Sequence, residues 1–273
     1  MCFYKFKIRV PPQESCGPLS RGAAGAGNDK MKHIIKSKIL QINNLIHGIS
    51  TKAGGMPPFY NNLSKHVGDS EENIKQNRDR FFGALGIPQE NLVYANQVHS
   101  NTIRIVNKPG LYKETDGFIS SKAGLFLVIS VADCMPVMLY DKKNNVIANV
   151  HAGWRGTQKK IVSHALEILI NEFNSKPEDI SAFLGPCISK KNFEVGLEVV
   201  EMFEPQYVEE RNSKYYVDIT GENISQLRSF GINDEQIETS GICTYSESGT
   251  MHSYRRDGDS SGRMFAVIGI RGK

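Results

Sequence analysis

The sequence predicts an α+β fold, a single domain of mixed β-sheets layered with helices, and three observations carry that prediction. One strand pair is plainly a hairpin, because the apolar runs Val137–Tyr140 and Val146–Val150 flank the polar, turn-rich Asp141–Asn145. The other strand-like runs are joined by connections of unlike length, so their neighbours are mixed. Helical patterns fall between them irregularly rather than alternating strand by strand. No Gly-x-Gly-x-x-Gly follows a strand, so a dinucleotide cofactor is not indicated.

Taken in order, residues 1–30 stand apart. Met1–Val10 alternates basic and apolar residues, and Pro11–Gly27 is rich in Pro, Gly, Ala and Ser, as in a linker. This stretch is expected to be a disordered tail or a non-native extension, with residues 31–273 forming the domain. Ile34–Ile42 and Leu45–Thr51 read as strands, and Gly54-Gly55 and Pro57-Pro58 as a loop that His66-Val-Gly-Asp69 closes. Asp69 or Ser70 caps a helix from Glu71 to about Leu85, with Ile74, Phe81, Phe82 and Leu85 in register. Leu92–Ala95 and Thr102–Val106 are strands around Asn96–Ser100, and Asp116-Gly117 marks a turn. Leu125–Val131 precedes the hairpin, and Gln158–Phe173 is a helix with Ile161, Ala165, Ile168 and Leu169 on one face. Ala182–Leu184 is a short strand, Val195–Met202 a helix, Tyr216–Ile219 extended and Glu222–Phe230 a helix. Ile237–Ile242, Met251–Tyr254 and Met264–Ile270 complete the sheets.

Composition bounds the function. The chain has 273 residues, 40% hydrophobic and 23% charged, as in an ordinary globular protein. No apolar run approaches the roughly 18 residues of a membrane helix, and no secretory core is present, so neither membrane nor export is expected. The net charge of +4 is concentrated at the start: Lys5, Lys7, Arg9, Arg21 and Lys30 against Glu14 and Asp29 leave the remainder near neutrality. Nucleic-acid binding is therefore not suggested. Five cysteines without paired spacings argue for a reducing, cytoplasmic setting.

Three side chains stand out in loops that follow apolar runs: His99, Cys134 and His151. Any one alone reads as a packed structural residue. Together they fit a catalytic zinc site of three protein ligands with a fourth position open. They equally fit a metal-free pair, with Cys134 as nucleophile and His151 as base. The residues leave both readings standing.

The motifs narrow the choice. His99, Ala132-Asp-Cys134, His151-Ala-Gly-Trp-Arg-Gly156, Gly185-Pro-Cys-Ile188 and Ser253-Tyr-Arg-Arg-Asp-Gly258 resemble the signature blocks of the YfiH family. His47-Gly48, Ser50-Thr51, Gly54-Gly55 and His66-Val-Gly-Asp69 resemble its amino-terminal block. The family has been labelled multicopper polyphenol oxidase or laccase-domain protein, and some bacterial members peptidoglycan editing factors. The resemblance implies the layered YfiH-like fold over Met31–Lys273 and metal ligands at His99, Cys134 and His151. It implies zinc-dependent phosphorolysis of purine nucleosides (adenosine, inosine and methylthioadenosine) with adenosine deaminase activity. Lys52, and the polar Ser64-Lys65, depart from the family pattern outside the ligand set, where they bear on substrate contacts.

The laccase label can be weighed on the residues themselves. A type-1 and a trinuclear copper site need about ten histidines, several as His-x-His. This chain has seven histidines and no such pair. Copper still suits the same three ligands on affinity alone. Arg155, between two glycines before a helix, is placed to grip phosphate, and of the neighbours Arg255 and Arg256 one is expected in the pocket, with Arg256 the choice. His47 and His66 are candidates for its rim. Asp133 is the nearest carboxylate to move a proton in deamination by a zinc-activated water. The alternative function is a Cys134–His151 hydrolase or amidase acting on cell-wall precursors.

Overall fold

Side chains alternating along a few strands build the core on both faces of two sheets, in a computed structural model that describes residues 34–272. The expectation for residues 1–30 lies outside the described residues. The chain begins with β1 (Ile34–Ile35), β2 (Leu45–Ser50) and α1 (Glu71–Leu85). Then follow β3 (Leu92–Ala95), β4 (Ile103–Ile105), β5 (Gly110–Tyr112), β6 (Gly117–Ser120), β7 (Phe126–Val131), β8 (Met135–Asp141) and β9 (Val146–Ala152). The helices α2 (Trp154–Gln158) and α3 (Ile161–Phe173) lead to β10 (Ile180–Leu184), β11 (Glu194–Val195) and α4 (Leu197–Val200). The last elements are β12 (Val208–Arg211), β13 (Lys214–Val217), α5 (Ile219–Ser229), β14 (Ile237–Thr239), α6 (Tyr254–Asp257) and β15 (Met264–Ile270).

One six-stranded sheet runs β1-β2-β15-β7-β3-β5 and the other β14-β10-β8-β9-β6-β4, with a small third sheet β11-β13-β12. Both large sheets are mixed. For example, β15 is antiparallel to β7 while β3 is parallel to it. Leu127 and Ile129 of β7, with Ala266 and Ile268 of β15, meet Met138 and Tyr140 of β8 and Ile147 of β9 between the sheets. The intervening residues Phe126, Val128, Phe265 and Val267 point outward onto Phe81, Phe82 and Leu85 of α1. On the far side Val137, Leu139, Ala148 and Val150 pack on Ile161, Ala165 and Leu169 of α3. The period-2 alternation of these strands thus sorts one sequence into a helix–sheet–sheet–helix stack. The α+β architecture of mixed, layered sheets expected from the sequence is the observed one.

Several elements differ from expectation. Only Ile34–Ile35 of the expected strand Ile34–Ile42 pairs, because the Glu238 carboxylate accepts the Lys38 and Ile39 amides at 2.7 and 3.0 Å and bends the chain. Of the helix expected over Gln158–Phe173, α3 forms from Ile161 onward, while Gln158 ends the preceding α2 and Lys160 between them is left-handed with φ 58°. Val195–Met202 shortens to Leu197–Val200 after a two-residue strand, and Met251–Tyr254 is no strand, since Ser253 caps α6 instead. The hairpin β8–β9 forms as expected, Pro136 opposite His151 and Asp141 opposite Val146.

Candidate metal centre

Three connections at one end of the sandwich bring the candidate ligands together. His151 is the last but one residue of β9, and the register that sets it opposite Pro136 places Cys134, two residues before Pro136, at the same end. Cys134 closes the sharp Ala132-Asp133-Cys134 link between β7 and β8, made possible by a positive φ of 83° at Asp133. His99 arrives on the loop after β3, also left-handed at φ 58°. One atom from each of His99, Cys134 and His151 falls within 4.8 Å of the others, and the two rings meet edge-on, centroids 4.9 Å apart. Gly153 is required by this approach, because a Cβ there would come to 2.8 Å from Cys134 Sγ.

Asp116 organises the group. The carboxylate, fully buried, accepts the amides of Val98, His99 and Ser100 and the Ser100 hydroxyl, which shapes the His99 loop. The same carboxylate meets His151 Nδ1 at 2.8 Å. That bond fixes the His151 ring and leaves Nε2 for a ligand, as second-sphere carboxylates do at zinc histidines. Burial alone would raise Asp116, but the His151 and Ser100 hydrogen bonds hold it down at about 2. Burial would also raise the Cys134 thiol, and His151 with His99 brings it to about 6. His151, which burial alone would lower, is lifted to about 9 by Cys134 and Asp116. A thiolate beside two histidines becomes a soft, anionic donor set once a metal displaces the His151 proton, and it suits zinc.

The fit to a metal is good on the donors. Tetrahedral zinc with bonds near 2.0–2.3 Å sets ligand atoms about 3.5 Å apart; here they lie within 4.8 Å, and His99, the most exposed of the three, is the least constrained by packing. These residues form the floor of a cleft of about 550 Å³. His66, Ser64, Asp133, Phe193, Tyr254, Arg255, Asp259 and Arg263 stand around it.

The other sequence candidates scatter. Asp133 borders the cleft, but its oxygens accept the Thr244 hydroxyl at 2.6 Å and the Arg255 amide at 2.7 Å, tying three loops together. Arg256 faces away. Its guanidinium donates to the carbonyls of Thr244, Tyr245 and Met251 and pairs with Asp257 at 2.8 Å, while its neighbour Arg255 enters the cleft. Arg155 stacks on Trp154, 4.2 Å from the ring centroid, and is not among the cleft residues. His47 sits within β2 and accepts the Ser37 amide at 2.9 Å, apart from the cleft, and burial lowers it to about 4. His66 alone of the two rim histidines lines the cleft. Sequence reasoning missed Asp116, Arg263 and Ser64. Asp116-Gly117 carries only a turn signal, and no local pattern links it to His151, 35 residues on.

Comparison with known proteins gives the family and the fold. Residues 46–271 match the family described as multi-copper polyphenol oxidoreductase laccase. The chain is 33% identical over 249 residues to a purine nucleoside phosphorylase of Bacteroides thetaiotaomicron, covering 84% of this chain and 92% of that one. It is 36% identical over 229 residues to the purine nucleoside phosphorylase YfiH of Shigella flexneri, covering 80% and 91%. Among solved structures it resembles YlmD from Geobacillus stearothermophilus, with a TM-score of 0.81 at 30% identity over 86% of this chain and 94% of that one.

Proposed function

The chain belongs to the YfiH family, whose matching model is described as multi-copper polyphenol oxidoreductase laccase, and from that premise we propose that it is a zinc-dependent purine nucleoside phosphorylase. The observation that carries the proposal is the convergence of His99, Cys134 and His151 on the floor of a cleft whose walls hold Arg255 and Arg263. A cleft of about 550 Å³ is of the size that takes a small organic ligand, and two guanidiniums suit an anionic co-substrate. The relatives' name, purine nucleoside phosphorylase, supports a purine nucleoside with phosphate as the substrate class, and adenosine, inosine and methylthioadenosine are the nucleosides we propose. Adenosine deamination is the second activity of the same cleft, and the cytoplasm is the compartment, its reducing conditions keeping Cys134 a thiol. A four-copper oxidase is disfavoured by seven histidines with no His-x-His pair.

Bound at this floor, zinc would supply Lewis acidity and charge to the reacting centre. The chain's own groups do the rest. Asp116 holds the His151 ring in one orientation, and Cys134 carries the negative charge of the donor set. Asp133, each of whose oxygens keeps a second lone pair beyond its present bonds, is the cleft carboxylate placed to move a proton in deamination. Phe193 and Tyr254 offer aromatic walls for a purine.

The test is phosphate-dependent release of free base from inosine and adenosine by purified protein, followed by chromatography with and without phosphate. Release of base that does not depend on phosphate contradicts the phosphorylase. A second reading has its own support: Cys134, His151 and Asp116 also stand in the order nucleophile, base and orienting carboxylate. A metal-free hydrolase or amidase of cell-wall precursors would lose turnover in Cys134→Ala, yet keep much of it in His99→Ala and under chelation.

A further inference from the structure

One positive charge in the cleft, Arg263, has no ion-pair partner among the described residues. Arg263 is half-buried, and burial pulls its pKa below the ordinary arginine value. Its Nη1 donates to the Ser261 and Gly262 carbonyls at 2.7 and 3.0 Å, and its plane stacks on Tyr254, 5.3 Å from the ring centroid. Among the described residues no carboxylate comes within ion-pair distance. Asp133, Cys134 and Asp259 line the same cleft and act on Arg263 only at longer range than an ion pair. A desolvated guanidinium without a counter-ion is costly unless a ligand supplies one.

Two further groups share the Arg263 corner of the cleft because one buried side chain ties their segments together. The amide of Arg263 and the amide of Ser64 both donate to Asn62 Oδ1, each at 3.0 Å, and the Leu63 amide donates to the Arg263 carbonyl. Segments 200 residues apart are thus clamped at one point, and Ser64, His66 and Arg263 all line the cleft. The Ser64 hydroxyl, 4% exposed as a residue, accepts the His66 amide at 3.2 Å, yet it has no acceptor of its own among the described residues. A buried hydroxyl donor lining the same cleft as a guanidinium without an ion pair calls for an oxygen-rich anion.

We infer that Arg263, Ser64 and His66 form the oxyanion-binding corner of the cleft and that its ligand is inorganic phosphate. The identification of the anion as co-substrate rests on the phosphorylase reading; the anion site itself does not. Arg155 and Arg256 are left out because one stacks on Trp154 outside the cleft and the other is saturated by carbonyls and Asp257.

The experiment is calorimetric titration of metal-loaded protein with orthophosphate and, in parallel, with a nucleoside monophosphate, joined to steady-state kinetics. Arg263→Gln should weaken orthophosphate at least about tenfold, the loss expected for one charge-assisted hydrogen bond, while Arg263→Lys recovers part of it. Ser64→Ala should weaken it about threefold or more. The Michaelis constant for phosphate should rise accordingly, with that for the nucleoside changing by less than about twofold. A merely structural role for Arg263 would raise both constants together and lower the melting temperature, and that result overturns the corner. So does orthophosphate binding that is unchanged in Arg263→Gln, or absent in the wild type. If Arg263→Gln does not fold, Ser64→Ala decides, and unchanged binding there overturns the inference. Binding of the monophosphate alone overturns the co-substrate assignment. Arg263-dependent orthophosphate binding without any release of base leaves the corner standing and removes the phosphorylase reading instead.

Discussion

Asp116 accepts hydrogen bonds from three successive amides, one hydroxyl and one imidazole, so one carboxylate fixes two of the three candidate ligands at once. Asp116→Asn keeps the volume but cannot accept at both atoms, and it loosens the His99 loop and the His151 ring together. The expected result is a fall in zinc affinity of about 10–100-fold, read by competition with a chromophoric chelator, with circular dichroism little changed. Unchanged affinity would show that the ligands orient themselves. At this scale the sequence was most informative where residue type limits chemistry: His99, Cys134 and His151 stood out as a group because few side chains bind soft metals. It was least informative for the supporting shell. Asp116 acts across 35 residues and looked like a turn, and Arg255 rather than Arg256 enters the cleft because Ser253 starts a helical turn there instead of extending a strand.

Elements were legible where a local pattern and the tertiary environment agreed. The hairpin β8–β9 has a polar turn between two apolar runs, and α1 has a cap, a 3.6-residue apolar register and a glycine stop at Gly86, left-handed at φ 66°. Of the two cap candidates the structure uses Ser70, whose hydroxyl accepts the Asn73 amide at 3.2 Å. Ser70→Ala is therefore expected to cost about 1 kcal/mol, seen as a lower urea midpoint at unchanged slope, and an equal loss in Asp69→Ala alone would reassign the cap. Elements failed where distant partners intervene. The Ile34–Ile42 run is bent by Glu238, about 200 residues away. The helix after His151 breaks at Lys160, whose amine pairs with the buried Glu222 of α5 at 2.9 Å, while Gln226 and Asn223 of the same helix hold Thr157. No window of 15 residues contains those causes.

Over the whole molecule, the stacking of helix, sheet, sheet and helix buries polar groups along with the apolar core, and two histidines make that a pH dependence. Burial lowers His47 to about 4 and His252 to about 3, from 6.5 in the unfolded chain. Folded values below unfolded ones mean that this stability is complete above about pH 6.5 and is lost as the pH falls toward 4 and 3. Each histidine then contributes a slope of roughly 1.4 kcal/mol per pH unit in that window. The urea midpoint should accordingly drop between pH 7 and pH 5, and His252→Gln should flatten the slope relative to wild type. Equal slopes in the two proteins would mean that His252 titrates alike in the folded and the unfolded chain. The fold class was readable at this scale because alternation along β7, β8, β9 and β15 is a purely sequential signal; the order of strands in each sheet was not, because four of the pairings are parallel and join strands remote from hairpin contact.

If metal held by His99, Cys134 and His151 carries the chemistry, metal content and turnover must move together on the same samples. Elemental mass spectrometry and phosphate-dependent base release are read on wild type, on His99→Ala and on chelator-treated wild type before and after zinc is restored. Metal and activity should disappear together in the variant and in the chelated sample, and return together when zinc is added to the wild type. Full turnover in a sample verified to be free of metal would contradict it.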